Sequence, residues 1–251
     1  MKNRFQIGEI AQFFNLPAST LRYWEDCGIL TPEKNEENQY RAYTVPDLMT
    51  ISDIIFYKSL GISLKDIRDI DKHTPSQQKQ LFDEKMQELM EEQEQLQRRM
   101  EKMRRHITAV QTLEDLKRTA YQETDIDTDC IVSFDLIERD KLRRYIENPY
   151  LYSRVQHSDC LQEEQRGLTI PAHQACQFPS SQILWRKNSS TYLVCLMKEQ
   201  VCAGFPNDLD QHLAHIQKTY RTGTVISRFL LCAQEDGKVY DYYKTFVEVF
   251  P

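Results

Sequence analysis

The chain has 251 residues, 32 Lys/Arg against 38 Asp/Glu, a formal net charge of −6, and 40% hydrophobic against 28% charged residues, with a mean hydropathy of −0.62. That length accommodates one large or two modest domains, and that balance excludes a disordered or membrane-embedded chain. No apolar run approaches the ~20 residues of a bilayer span and the first nine residues carry no apolar signal core, so a cytoplasmic location is expected.

Charge alone points away from nucleic acid. Residues 1–70 hold eight Lys/Arg against ten Asp/Glu, and 119–251 fourteen against eighteen, so any DNA contact must rest on placement. Seven cysteines, with no C-x-x-C pair, argue against a disulfide framework and a zinc knuckle.

In chain order, Ile7, Ile10, Ala11 and Phe14 share one helical face that stops at Asn15-Leu16-Pro17. A second helix fits Ala18 to Asp26, with Leu21 and Trp24 facing inward and Gly28 ending it. Two helices joined by so tight a turn form the helix-turn-helix pattern. Near the start of the second helix, Ser19, Thr20, Arg22 and Tyr23 are polar groups suited to phosphates or base edges. The alternative is local: Ser19 and Thr20 cap the helix while Arg22 pairs with Glu25 or Asp26. Thr31 to Tyr43 reads as a hairpin or wing carrying Tyr40 and Arg41 toward phosphates. Thr44-Val45-Pro46-Asp47 caps a third helix, on which Lys58 is a further phosphate candidate, and Ser63-Leu64-Lys65-Asp66 caps a fourth.

From Ser76 to about Thr119 neither Gly nor Pro interrupts the chain, which predicts one long helix. Its apolar positions Phe82, Met86, Leu89, Leu96, Met100, Met103, Ile107 and Val110 step by fours and threes, with Gln93 in the one polar slot. That is a coiled-coil seam of about four heptads, and the shorter step to Leu113 and Leu116 marks a stammer or its end. Residues 83–94 carry six acids and one Lys, while Arg98, Arg99, Lys102, Arg104 and Arg105 oppose only Glu101. An antiparallel homodimer sets the acidic half of each helix against the basic half of the other, with Gln93 helping to fix register.

Residues 120–251 change texture. β-rich runs at 130–134, 191–197 and 224–231 alternate with helical stretches near 138–147 and 208–221, a pattern consistent with an internally duplicated α+β unit. On the last strand Phe246, Glu248 and Phe250 share one face and Val247 and Val249 the other.

Ile7-Gly8-Glu9-Ile10-Ala11, Thr20-Leu21-Arg22-Tyr23-Trp24-Glu25, Gly28-Ile29-Leu30, Tyr40-Arg41-Ala42-Tyr43 and Leu60-Gly61-Ile62-Ser63-Leu64, in order over residues 5 to about 70, resemble the MerR family of transcription regulators. The resemblance implies a winged helix-turn-helix that binds double-stranded promoter DNA as a homodimer, distorts the spacer between promoter elements, and works with RNA polymerase there. Pro17 in place of a capping Ser, Trp24 in place of a second tyrosine, and Ser19 in place of a frequent arginine depart from the family pattern and leave the operator sequence open.

The C-terminal part is similar, more faintly, to the gyrase-inhibitor-like effector domain of multidrug-sensing members. That similarity implies an aromatic pocket with a buried acid for a small, lipophilic and often cationic organic effector. Its candidates are Trp185, Tyr192, Tyr220, Tyr243, Phe246 and Glu248. Glu248 faces an aromatic cavity or, as strand glutamates commonly do, solvent. No cysteine falls between Cys27 and Cys130 where the family's metal sensors place theirs, and His212 and His215 at i, i+3 read as an exposed helical face, so neither metal nor cofactor is expected. No G-x-S-x-G, H-E-x-x-H or glycine-rich phosphate loop is present, and a hydrolase is the minor alternative, alongside a DNA-architectural protein without ligand control. The expected architecture is multidomain α and α+β: a winged helix-turn-helix in 1–75, a dimerisation helix in 76–119 and an effector-binding α+β domain in 120–251.

Overall fold

The computed structural model describes residues 4–34 and 41–251. The chain forms two compact units, Met1–Gln97 and Arg98–Pro251.

In the first, α1 (Ile7–Phe13) starts where the Glu9 carboxylate accepts the Gln6 N–H at 2.8 Å. It ends at Asn15, whose φ of 52° lies in the left-handed region that Asn tolerates better than most side chains. After that turn α2 (Ala18–Asp26) buries Leu21 and Trp24. Strands β1 (Glu33–Lys34) and β2 (Arg41–Ala42) pair antiparallel. Helix α3 (Val45–Ser59) is capped by Asp47, which accepts the Thr44 N–H at 2.6 Å, and carries Pro46 in its first turn. Gly61, with φ of 77°, turns the chain into α4 (Leu64–Asp69), where Ser63 Oγ accepts the Asp66 N–H at 3.2 Å. Ile10, Leu21, Trp24, Leu30, Tyr43, Ile51, Ile54, Ile62 and Ile67 make one core. These short helices hold only because each contributes an apolar face to that core.

Helix α5 (Pro75–Arg118) runs 44 residues without a break, as the absence of Gly and Pro predicts. Among the described residues no helix is long and apolar enough to cross a membrane.

The second unit contains β3 (Gln122–Thr124), β4 (Cys130–Ser133), α6 (Arg139–Glu147), β5 (Tyr152–His157), β6 (Cys160–Ile170), β7 (Ile183–Arg186), β8 (Thr191–Gln200), α7 (Leu209–Ile216), β9 (Arg221–Glu235) and β10 (Lys238–Phe250). The strands form one antiparallel sheet in the order β3-β8-β10-β9-β5-β6-β4-β7. The expected duplication is visible in this topology. β4-α6-β5-β6 and β8-α7-β9-β10 are each a strand, a helix and a hairpin, in each the first strand pairs with the last, and the two halves join through β5 and β9. Helix α7 is shorter than the 208–221 expected, because β9 already begins at Arg221.

Helices α6 and α7 cover one face of the sheet. Leu209, Leu213 and Ile216 of α7 pack on Leu193, Met197, Val225, Tyr243 and Val247, and Leu142 and Tyr145 of α6 pack beside Phe134 and Leu168. The last turns of α5 cover the other, where Ala109, Leu113 and Leu116 meet Ile126, Trp185, Tyr192, Ile226, Tyr242 and Phe246.

One ion pair interrupts the helix-covered face. Arg154 on β5 donates to both carboxylate oxygens of Glu199 on β8, at 2.7 and 2.6 Å, and their side chains are 11% and 4% exposed. The guanidinium also lies 4.4 Å from the Tyr243 ring centroid and donates to its hydroxyl. Burial opposes the charge on Arg154, but Glu199 and the neighbouring acids outweigh it and hold its pKa above the ordinary value. Removing one member of such a pair strands the other charge in the interior. Glu199→Leu should therefore lower unfolding stability by about 3–5 kcal/mol, and the Arg154→Leu, Glu199→Leu double variant should recover most of that loss in denaturant titrations; a fully additive double variant would show that the pair is not coupled.

Candidate nucleic-acid interface and ligand cavity

On α2, Ser19, Arg22 and Tyr23 are exposed at i, i+3 and i+4, opposite buried Leu21 and Trp24, with Thr20 half-buried between the two faces. Glu25 is not available to Arg22. Its carboxylate takes the Arg41 guanidinium on one oxygen and the Tyr43 hydroxyl, at 2.5 Å, on the other. Burial and this bond to Glu25 push the Tyr43 phenol up. The pair ties β2 to α2, and it leaves Arg22 with no ion pair among the described residues. Arg41, expected to reach phosphates, stays 43% exposed at its side chain while anchored to Glu25. Lys58 is exposed in the last turn of α3. Tyr40 lies outside the described residues.

Along α5, Met86, Leu89, Leu96, Met100, Met103, Ile107 and Val110 are between 42% and 66% exposed, and Gln93 is exposed among them. Phe82 departs from the expected seam: it is half-buried, its ring 6.2 Å from Tyr57, and it packs on the core of its own unit. Leu113 and Leu116 are not a continuation of the seam either, because both are buried against the sheet.

The six ligand candidates do not come together. Trp185, Tyr192 and Phe246 belong to the core under α5, with Trp185 and Tyr192 edge to face at 6.4 Å. Glu248 is buried, contrary to the solvent-facing alternative, but it is turned onto its own scaffold, accepting from Asn188 Nδ2 at 3.1 Å and from the Thr224 N–H at 2.9 Å. Burial raises its pKa, yet hydrogen bonds from Ser190, Thr224 and Asn188 hold it below the ordinary glutamate value. Tyr220 borders two other clefts, of about 530 Å³ near Phe250 and about 240 Å³ near Tyr121. Of the six, only Tyr243 lines the largest cavity. The physical reason is the helix-end packing: the face shared by Phe246 and Glu248 is the one that α5 closes.

That cavity, of about 890 Å³, opens on the helix-covered face. Phe134, Tyr145, Tyr152, Phe205, Phe229 and Tyr243 supply aromatic walls, and Asp135, Arg154, Glu164, Arg166, Glu199 and Asp241 supply charge. Glu199 is the buried acid here, and Arg154 already neutralises it. Asp241 has no ion pair among the described residues; burial pushes its pKa up, with Glu199 adding to the effect. The sequence held a signal for this site. Glu199 continues the period-two positions of Leu193, Cys195 and Met197, which face the core, so it puts a charge where the pattern demands an apolar residue.

His212 and His215 are likewise engaged within the fold. His212 Nδ1 lies 2.8 Å from the Tyr121 hydroxyl and Nε2 3.6 Å from Asp208, and His215 stacks on the Tyr121 ring at 4.4 Å. Burial lowers the His212 pKa, but Asp208, the Cys195 thiol and Tyr121 outweigh it and raise the ring well above its usual range.

Comparison with known proteins places the N-terminal unit. The profile described as MerR HTH family regulatory protein matches residues 5–74. The uncharacterized HTH-type transcriptional regulator slr0701 of Synechocystis sp. is 33% identical over 110 residues, covering 43% of this chain and 80% of that protein. The HTH-type transcriptional activator TipA of Streptomyces coelicolor is 30% identical over 63 residues, so that the match spans a quarter of this chain and a quarter of TipA. A crystal structure of a MerR family transcriptional regulator from Bacillus cereus aligns with a TM-score of 0.39 at 25% identity, over 43% of this chain and 83% of that one. With residues 5–74 fitting the family profile and slr0701 matched over most of its length, this chain belongs to the MerR family of helix-turn-helix transcriptional regulators.

Proposed function

We propose that this protein is a cytoplasmic, dimeric regulator of transcription that reads and distorts double-stranded promoter DNA where RNA polymerase binds, and that it responds to a small organic ligand. The observation that carries the DNA-binding part is the exposed polar face of α2, with Arg22 unpaired among the described residues, inside the stretch that matches the family profile. An unpaired guanidinium on an exposed helix face suits bidentate contact with guanine or phosphate. Dimerisation through an antiparallel pair of α5 helices is supported by seven exposed apolar residues at heptad spacing, a patch that a monomer in water rarely keeps.

Control by an organic ligand, in place of a purely architectural role, is favoured by the size of the cavity. A volume of about 890 Å³ falls within the range of small-molecule sites. The ligand contacts are then Tyr145, Tyr152, Phe229, Tyr243 and Asp241, with Asp241 as the counter-charge for a cation.

Three measurements test this reading. With duplexes selected from random-sequence DNA by the wild-type protein, Arg22→Ala should weaken binding about tenfold or more at low salt; unchanged affinity removes α2 as the reading helix. Replacing Met100 and Met103 together by Asp should yield a monomer in light scattering, and a persistent dimer would sink the seam. Tetraphenylphosphonium, whose charge is permanent, should raise the melting temperature. Because the Asp241 pKa is raised, the counter-charge is present above that pKa and is lost as pH falls through it, so the shift should diminish on acidification. Asp241→Asn should abolish this pH dependence; an equal shift in that variant refutes the assignment.

A further inference from the structure

A second cavity, of about 300 Å³, lies on the opposite side of the sheet, between the later turns of α5 and the strands. Its charge differs from that of the larger one. Arg104, Arg105, Arg228 and Lys244 line it against only two carboxylates, Glu101 and Asp127. The carboxylates are already engaged: Glu101 accepts from Arg105 at 3.2 Å, and Asp127 accepts from both Arg228, at 2.5 Å, and Lys244, at 2.8 Å. Those two cations hold the Asp127 carboxyl below its ordinary pKa even though burial raises it. Four positive groups share two negative ones, and Arg104 has no ion pair among the described residues.

Two buried polar atoms on residues lining this cavity, Arg228 Nε and Asn148 Oδ1, lack any hydrogen-bond partner among the described residues. One is a donor beside surplus positive charge and the other an acceptor, and buried groups of either kind cost free energy when left unpaired. The rest of the lining includes Ala109, Leu151 and Leu230, so a bare ion would leave an apolar wall uncovered.

We propose that this cavity binds a small organic anion: an acidic group held by Arg104 and Arg228, an apolar or aromatic body against Ala109 and Leu230, and a hydroxyl donating to Asn148. Such a ligand rests on the same turns of α5 that carry Ile107 and Val110, and so meets the helix beside its exposed apolar residues. The site is distinct from the aromatic cavity, with which it shares only Phe229 of the lining, and from the cation assigned there.

Titration calorimetry on the full chain tests the proposal with 4-hydroxybenzoate and phenyl phosphate, with uncharged 4-hydroxybenzamide as the shape control and inorganic phosphate as the ion control. The expected result is binding of at least one organic anion, no binding of the amide, and at least about tenfold weaker binding in Arg104→Glu, since a hydrogen-bonded charge contact is worth that much. Arg104 is exposed, so this variant does not disturb the core. Thr108→Trp, which fills the cavity from an exposed helix position, should abolish binding, while Tyr152→Ala in the other cavity should leave it unchanged. The proposal is overturned if neither organic anion binds, if the amide or inorganic phosphate binds equally well, or if binding survives both Arg104→Glu and Thr108→Trp.

Discussion

Everything in this chain is organised around one requirement on helix α5: an unbroken helix must present two apolar surfaces without letting them merge. From Met86 to Val110 the apolar positions step by threes and fours and are exposed, while Ala109, Leu113 and Leu116 are buried in the sheet core. At about 100° per residue the centre of that buried trio lies about a quarter-turn round the helix from Val110. The break in step after Val110 is therefore a change of face and not a flaw in a coiled coil. Because the two surfaces diverge, the sheet is anchored on one side of the helix while the seam remains accessible. Glycine or proline between Pro75 and Arg118 would uncouple them, and the sequence contains neither after Pro75 itself.

The sheet solves a related problem by repetition. Each half is a strand, a helix and a hairpin, and neither half alone covers its apolar face. Joined through β5 and β9, they make one continuous sheet with α6 and α7 on the same side, and the central strands carry polar and charged groups where the core is expected to be dry. Arg154 and Glu199 are tolerated there because they pair in a bidentate geometry, Glu164 accepts a further bond from Arg154 and Tyr243 adds both a ring and a hydroxyl, which leaves the Arg154 Nε without a partner among the described residues. Such a pair is a costly way to fill space, but it gives a cavity a fixed polar floor. The same pair sets the charge around the cavity, since the most deeply buried carboxylate is already neutralised while Asp241 and Asp135 have no ion pair among the described residues.

Much of this was legible in the residues, and the failures have identifiable causes. Helices α1 to α5, their caps and the duplication follow from local rules: a short-range pattern of apolar residues, a capping Thr or Ser with an acid three residues on, and Gly61 where φ is positive. The six ligand candidates do not converge because the strand pattern around Phe246 and Glu248 gives which residues share a face but not what covers it. Only the fold reveals that the end of α5 fills that face. Spacing alone places Phe82 in the seam, while Tyr57, distant in sequence, draws it to the N-terminal core. Arg41 and Glu25 are sixteen residues apart, too far for any local rule to pair them. Arg154 was missed because an arginine within a strand looks like an outward residue until Glu199 and Tyr243 are brought to it from β8 and β10.

The two cavities are related by the geometry of the strand pair that separates them. In the β5–β9 register Ser153 faces Arg228 and Arg154 faces Ser227. Successive side chains in a strand point to opposite faces, so Arg154 turns to the aromatic cavity and Arg228 to the cationic one from adjacent rungs of one ladder. Just beyond, the β9–β10 register shifts between Tyr242 and Tyr243, skipping Leu230. This bulge sends Leu230 and Leu231 together into the core beneath α5 and gives Phe229 to the Tyr243 side. Phe229 lines both cavities. Bulges re-aim side chains and loosen a ladder locally, and this one sits where the two cavities come closest. By linkage, any coupling in affinity carried through the shared residue Phe229 would be equal in both directions.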